Sequence, residues 1–163
     1  MAGLVTEMAA THPGQTASAA GGEYSCARAW AALTAAHARI AGQLSAALDE
    51  ACGLSINEFE ILLRLDQMPA PGLRLGELSP AVRLTQPSLS RAVTRLGHRG
   101  WLTRASVPDD GRGVLVAITP DGRQVLRRAA EVHAQTIREF LLDPLTPGEL
   151  DLLARALSRV ADD

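Results

Sequence analysis

Arg91 and Arg95 stand one helical turn apart behind a run of small polar residues, Thr85, Gln86, Ser88 and Ser90. A guanidinium forms two parallel hydrogen bonds to guanine or to phosphate. Short hydroxyls and amides reach base edges or phosphate oxygens without steric cost. Thr94 lies between the two arginines on the same stretch. Further on, Asp110-Gly111-Arg112-Gly113 sets one arginine between glycines, at the tip of an expected hairpin. A lone arginine there suits the narrow, electronegative minor groove of DNA. The candidate DNA-contacting residues are therefore Thr85, Gln86, Ser88, Ser90, Arg91, Thr94, Arg95 and Arg112. The plain alternative is a solvated, arginine-rich face with an ordinary Asp-Gly hairpin.

Charge distribution bears on the choice more than net charge does, and by itself leaves both readings open. The chain of 163 residues carries a formal charge of −2 and contains no lysine, so all 16 basic residues are arginine. Nine of them fall between Arg83 and Arg128 against three acids, a local balance of +6; the remainder holds seven against fifteen, a balance of −8. Segregation of this kind, rather than the total, is the electrostatic footprint of a nucleic-acid binder.

These residues need a scaffold, and hydrophobic periodicity supplies one. Leu33, Ile40, Leu44 and Leu48, with His37 on the same stripe, predict one long amphipathic helix from about Tyr24 to Ala51, ended by Gly53. His37 is expected as a core histidine. Ser55-Ile-Asn-Glu58 is a capping box with Leu54 and Phe59 at the staple positions, predicting a second helix from Ile56 to about Gln67. Residues 69–72, Pro-Ala-Pro-Gly, stop it. A short extended Leu73–Leu75 precedes a third helix from about Gly76 to Arg83, with Pro80 expected in its first turn. Thr85 N-caps the fourth helix, with Leu89, Val93 and Leu96 inward and Gly100 at its end. Strands are expected at Trp101–Ser106 and Val114–Ile118, joined by Pro108–Gly113. Thr119-Pro120 opens a fifth helix to about Leu142. Thr146-Pro-Gly-Glu149 caps a sixth, striped with Leu150, Leu153, Leu157 and Val160. A helix–turn–helix followed by a basic hairpin is a winged helix-turn-helix, so the expected fold is mainly α with a small β-wing.

Other function classes find little support. No nucleophile–base–acid grouping or phosphate loop is present, so an enzyme is not expected. Cys26 and Cys52 lack metal-ligand spacing, and no metal or cofactor is expected. Cys52 is expected to be buried. No run of 18 uncharged apolar residues points to a membrane span. The Ala-, Gly-, Thr- and Ser-rich residues 1–23 are expected to form a flexible tail, and the protein to be cytoplasmic.

The block from Leu78 to Gly122 resembles the MarR family of bacterial transcription regulators. The residues that carry the likeness are Ser90-Arg91, Arg95-Leu96, Arg99-Gly-Trp-Leu102, Arg104, Asp110-x-Arg112-Gly113 and Leu115-Val-Ala-Ile-Thr-Pro-Asp-Gly122. Gly53-Leu-Ser55 and Leu145-Thr-Pro-Gly-Glu-Leu150 extend it to roughly residues 24–161. The resemblance implies a homodimer whose terminal helices interdigitate, with two winged domains on a near-palindromic double-stranded operator. Residues 24–52 and 120–161 would be dimerisation helices around a DNA-binding region, 53–119. The apolar surface of the last two helices, from Ile137 to Val160, exceeds what a monomer needs. The chain departs from the family at Thr94, where an acid that forms a local salt bridge is usual, and at Gly97 and Pro80.

The resemblance also implies a sequence-specific repressor released by a small aromatic or phenolic ligand, held between the dimerisation helices and the winged domain. Trp30, His37, Phe59, Trp101 and His133 are candidates for that site, with ordinary packing as the alternative for each. The urate-responsive branch has Asp and Arg where this chain has Glu60 and Gln67. The peroxide-sensing branch has a reactive cysteine early in the first helix, which makes a thiol-based sensor using Cys26 the second reading of function.

Overall fold

The computed structural model describes residues 19–68, 72–82, 84–107 and 110–161. The chain divides into two units, residues 1–37 and 38–163. Helix α1 runs Ala19–Cys52. It starts ahead of the expected Tyr24, because a long helix propagates through Gly21-Gly22 once nucleated and the alanines before them favour it. Residues 1–18 of the expected tail lie outside the described residues. In the first unit Leu33 and His37 are exposed, so the core-histidine expectation for His37 is not met among the described residues.

In the second unit Ile40 and Leu44 are half-buried and Leu48 is fully buried. Gly53 takes a φ of 62° and ends α1. Helix α2 (Ile56–Asp66) opens on Ser55 with the reciprocal capping box in place, and the staple residues Leu54 and Phe59 are both buried. Strand β1 is two residues, Leu73–Arg74, and helix α3 runs Leu75–Ala81. Pro80 sits at the next-to-last position of α3, not in its first turn as expected. The missing N–H there costs one bond in a helix that ends at once, with Val82 as its C-cap.

Helix α4 (Gln86–His98) follows from Thr85 and buries Leu89, Ala92, Val93 and Leu96. Strands β2 (Leu102–Val107) and β3 (Asp110–Ile118) pair antiparallel, and β1 adds to the other edge of β3, giving the order β1-β3-β2. The register runs from Leu102↔Ile118 to Ser106↔Val114, then jumps to Val107↔Asp110. Gly111, Arg112 and Gly113 thus belong to an irregular part of β3 and not to a tight Asp-Gly turn. Pro108 and Asp109, between the two strands, lie outside the described residues. The side chain of Arg112 also lies outside them.

Helix α5 (Pro120–Ile137) is capped by Thr119, whose Oγ1 accepts from Gly122 N–H at 3.0 Å and donates to the Gly100 carbonyl at 2.8 Å. The expected continuation to Leu142 exists, but residues Arg138–Leu142 are wound as a π-turn. Asp143 N–H closes it on the Arg138 carbonyl at 2.8 Å. The wider turn accompanies a cation–π contact, 5.7 Å, between Arg39 and Phe140. Helix α6 (Pro147–Ala161) begins with its own capping box: Glu149 Oε2 accepts from Thr146 N–H at 2.8 Å and from its hydroxyl at 2.7 Å. The core joins α2, α3, α4, the sheet and α5, with Ile61, Leu62, Leu78, Leu89, Val93, Leu96 and Val116 at its centre. It fixes α4 from behind, and no described helix is long and apolar enough to cross a membrane.

Candidate nucleic-acid interface

Helix α4 buries one face, so the opposite face is what it can offer. Thr85 holds the N-cap position with φ −66° and ψ 148°, and Pro87 occupies the first turn, where no intrahelical N–H bond is lost. The Thr85 hydroxyl does not cap the backbone. It donates to Ser88 Oγ at 3.0 Å, and Arg91 Nη2 donates to the same oxygen at 3.3 Å. Thr85, Ser88 and Arg91 therefore form one hydrogen-bonded line along the start of the helix. With both lone-pair directions of Ser88 used, its own proton remains to donate to an acceptor such as a phosphate oxygen. Gln86 and Arg91 are exposed beside this line, and Ser88 and Ser90 are half-buried.

Arg95 continues the same face one turn on. Its Nε donates to Glu58 Oε1 at 2.9 Å, while the arginine side chain stays 57% exposed and the glutamate only 7%. Glu58 Oε2 accepts from the Ser55 N–H at 3.0 Å and the Ser55 hydroxyl at 2.9 Å. Burial by itself pushes this carboxyl up. The Ser55 N–H, Arg95 and the Ser55 hydroxyl together outweigh burial and hold it below the usual glutamate value. Sequence reading assigned Glu58 to the cap alone; the only signal for its second partner was its chemistry, because Arg95 is 37 residues away.

Thr94 is placed differently from the other candidates. Its hydroxyl donates to the Ser90 carbonyl at 2.8 Å and accepts from Arg104 Nη1 at 3.2 Å. A hydrogen bond from the Arg104 guanidinium to an uncharged hydroxyl thus stands where the family resemblance implies a salt bridge. Two further arginines of the basic segment tie elements together. Arg99 donates to the Gly53 carbonyl and lies 4.8 Å from the Trp101 ring centroid, and Arg123 pairs with Asp66 at 2.9 Å.

Of the residues proposed for a ligand, Phe59, Trp101 and His133 belong to the second unit and Trp30 and His37 to the first. Phe59 and His133 stack at 5.2 Å with 21° between their planes, whereas Trp101 packs under Arg99. Trp30 is 68% exposed in the first unit, as is His37 to a similar class. An open groove of about 640 Å³ lies between α1 and α5, lined by Ala47, Glu50 and Ala51 on one side and Arg128, Glu131, Val132, Gln135 and Thr136 on the other. It contains none of the five aromatic and histidine candidates. Cys26 is exposed and Cys52 half-buried against the core, less covered than expected. No described trio of His, Cys, Asp or Glu could hold a metal ion.

A polar helix face backed by a core, followed by a three-stranded sheet with a long hairpin, defines a winged helix-turn-helix protein. The family description "MarR family" matches residues 54–114. The chain is 31% identical over 108 residues to the transcriptional regulator PecS of Dickeya dadantii, covering 66% of this chain and 64% of that one. It is 32% identical over 84 residues to the multiple antibiotic resistance protein MarR of Salmonella typhimurium, covering 52% and 58%. These matches span about six-tenths of those relatives. The structure of Sco3205, a MarR family transcriptional regulator from Streptomyces coelicolor solved in complex with DNA, superposes with a TM-score of 0.73. It is 31% identical, with 82% of this chain and 87% of that one covered. The chain belongs to the MarR family of transcriptional regulators.

Proposed function

We propose that the protein is a homodimeric, sequence-specific DNA-binding repressor released by a small aromatic or phenolic ligand. The observation that carries the DNA-binding part is the exposed face of α4. There the Thr85–Ser88–Arg91 line and the anchored Arg95 present donors on a helix held rigidly by four buried side chains. Such a helix fits the major groove, with Gln86, Ser90 and Thr94 flanking the contact and Arg112 on the hairpin in the adjacent minor groove. The likeness to Sco3205, itself bound to DNA, supports this. The exposed apolar α6 supports the dimer, and half-sites on the order of 34 Å apart would match two α4 helices.

The groove between α1 and α5 supports the ligand part. A lining of one arginine, two glutamates and an amide together with apolar side chains favours a ring bearing hydroxyl groups over a bare carboxylate. Ligand binding would shift the spacing of the two winged regions through its preference for one packing of the dimer helices, typically by about 1–3 kcal/mol.

The test is fluorescence anisotropy with DNA from upstream of the protein's own gene and with scrambled DNA, at two salt concentrations. The expected result is tight binding to the first, at least ~1000-fold over the second, falling steeply with salt. Arg112→Ala is expected to weaken operator binding by ~1–3 kcal/mol with circular dichroism unchanged. Equal, weak binding to both DNAs, again with an operator found by selection from a random pool, would count against the reading. Affinity indifferent to a panel of phenolic compounds would remove its ligand part.

A further inference from the structure

Arg91 and Arg95 occupy the same face of α4 but are held in different ways. Among the described residues, the hydrogen bond Arg91 makes is to the rotatable hydroxyl of Ser88. Arg95 is tied through Nε to a carboxylate that is almost wholly buried and itself hydrogen-bonded by Ser55. That carboxylate cannot follow the arginine outward, because Glu58 stands in the first turn of α2 beside buried Phe59, Ile61 and Leu62. Its second oxygen is also claimed twice by Ser55. Among the described residues no further hydrogen bond occupies the terminal nitrogens of Arg95.

We propose that Glu58 is a positioning residue for DNA recognition: by binding Arg95 Nε it sets the guanidinium plane, so that Arg95 meets DNA only through its end-on Nη pair. This rests on the reading of α4 as the recognition helix. Two consequences follow from the chemistry. An arginine oriented before DNA arrives loses less side-chain freedom on binding, and its two Nη donors match O6 and N7 of one guanine. The adjacent negative charge also cancels much of the attraction of Arg95 for phosphates in general. Arg95 therefore contributes discrimination between sequences, and Arg91 contributes salt-dependent affinity for any DNA.

The experiment measures affinity for an operator duplex selected from a random pool and for a scrambled duplex, across a salt series, with the full chain. Glu58→Gln is expected to lower discrimination roughly ten-fold or more, the scale of one bidentate arginine–guanine contact. Its affinity for scrambled DNA should stay level or rise, since a negative charge is gone. Glu58→Asp, which keeps the charge but withdraws the carboxylate, should lose discrimination similarly. In an Arg95→Ala background neither change should have further effect. Ser55→Ala, which removes the cap but leaves the Arg95 bond, should lower the thermal midpoint with discrimination intact. Arg91→Ala should reduce the salt slope by about one, and Arg95→Ala by less.

Equal loss on both DNAs from Glu58→Gln, or discrimination unchanged in both Glu58 variants while Arg95→Ala lowers it, overturns the inference alone. Operator binding untouched by Arg91→Ala and Arg95→Ala together overturns the recognition-helix reading and this inference with it.

Discussion

Between Arg83 and Arg128 there are nine arginines, and among the described residues two of them meet acids from outside that segment: Arg95 with Glu58, and Arg123 with Asp66, both on α2. The local excess of +6 counted along the chain is therefore partly cancelled in space. Arg123–Asp66 is about half exposed at both ends and contributes at most ~1 kcal/mol, more to docking α5 on α2 than to stability. Glu58 is different, since a buried carboxylate without partners is costly. Its folded-state pKa lies below the ordinary glutamate value, so in the acid range the folded chain binds fewer protons than the unfolded one. The stability it contributes is fully present above about pH 4.3 and is lost as pH falls through the folded value. Glu149 shifts in the same direction, through the Thr146 N–H and hydroxyl. Thermal midpoints taken from about pH 6 to pH 3 should fall for the native protein and fall less steeply for Glu58→Gln. Parallel curves would show that Glu58 carries no linked proton.

At the scale of elements, the termini of helices were the most legible parts of the chain. The capping boxes Ser55–Glu58 and Thr146–Glu149 and the Thr119-Pro120 start all stand where their residue types place them, because a cap is a local arrangement of three or four residues. Elements whose geometry depends on a distant partner were less legible. Pro80 lies late in α3, β3 reaches back to Asp110, and the end of α5 widens into a π-turn. Gly122 shows what tertiary contact adds to a local signal. Its residue type suits the first turn of α5, but a Cβ there would land on the Trp101 carbonyl oxygen and close to Ile118 Cγ1. Backbone does not yield as a flexible side chain does, so Gly122→Ala is expected to destabilise the fold by ~1–3 kcal/mol or more. Urea unfolding should show a lower midpoint at unchanged slope; an unaltered midpoint would mean that α5 shifts freely away from β2.

For the whole molecule, the apolar stripe of α6 is largely uncovered among the described residues. Leu152 is 62% exposed and Val160 77%, and Leu153 and Leu157 are also exposed. A helix with these residues in water suits an interface, and an isologous pairing of two copies, as proposed above, would supply the second surface. Leu153→Glu together with Leu157→Glu should shift the sedimenting species from dimer to monomer and weaken operator binding, since a single winged region reaches one half-site. A variant that still sediments as a dimer would place the interface elsewhere.

What the sequence determined by itself is the order of elements, the helix starts from α2 onward, the inward face of α4 and the class of chemistry on its outward face. These follow from periodicity, capping and residue type, all of which act over a few positions. Only the tertiary structure decided how each arginine is used: Arg95 anchored by Glu58, Arg104 on Thr94, Arg99 on the Gly53 carbonyl, and Arg91 left to a hydroxyl. The side chain is the same in every case. Its role depends on which acceptor the folded chain brings within about 3 Å, a distance at which a hydrogen bond forms and of which sequence separation carries no record.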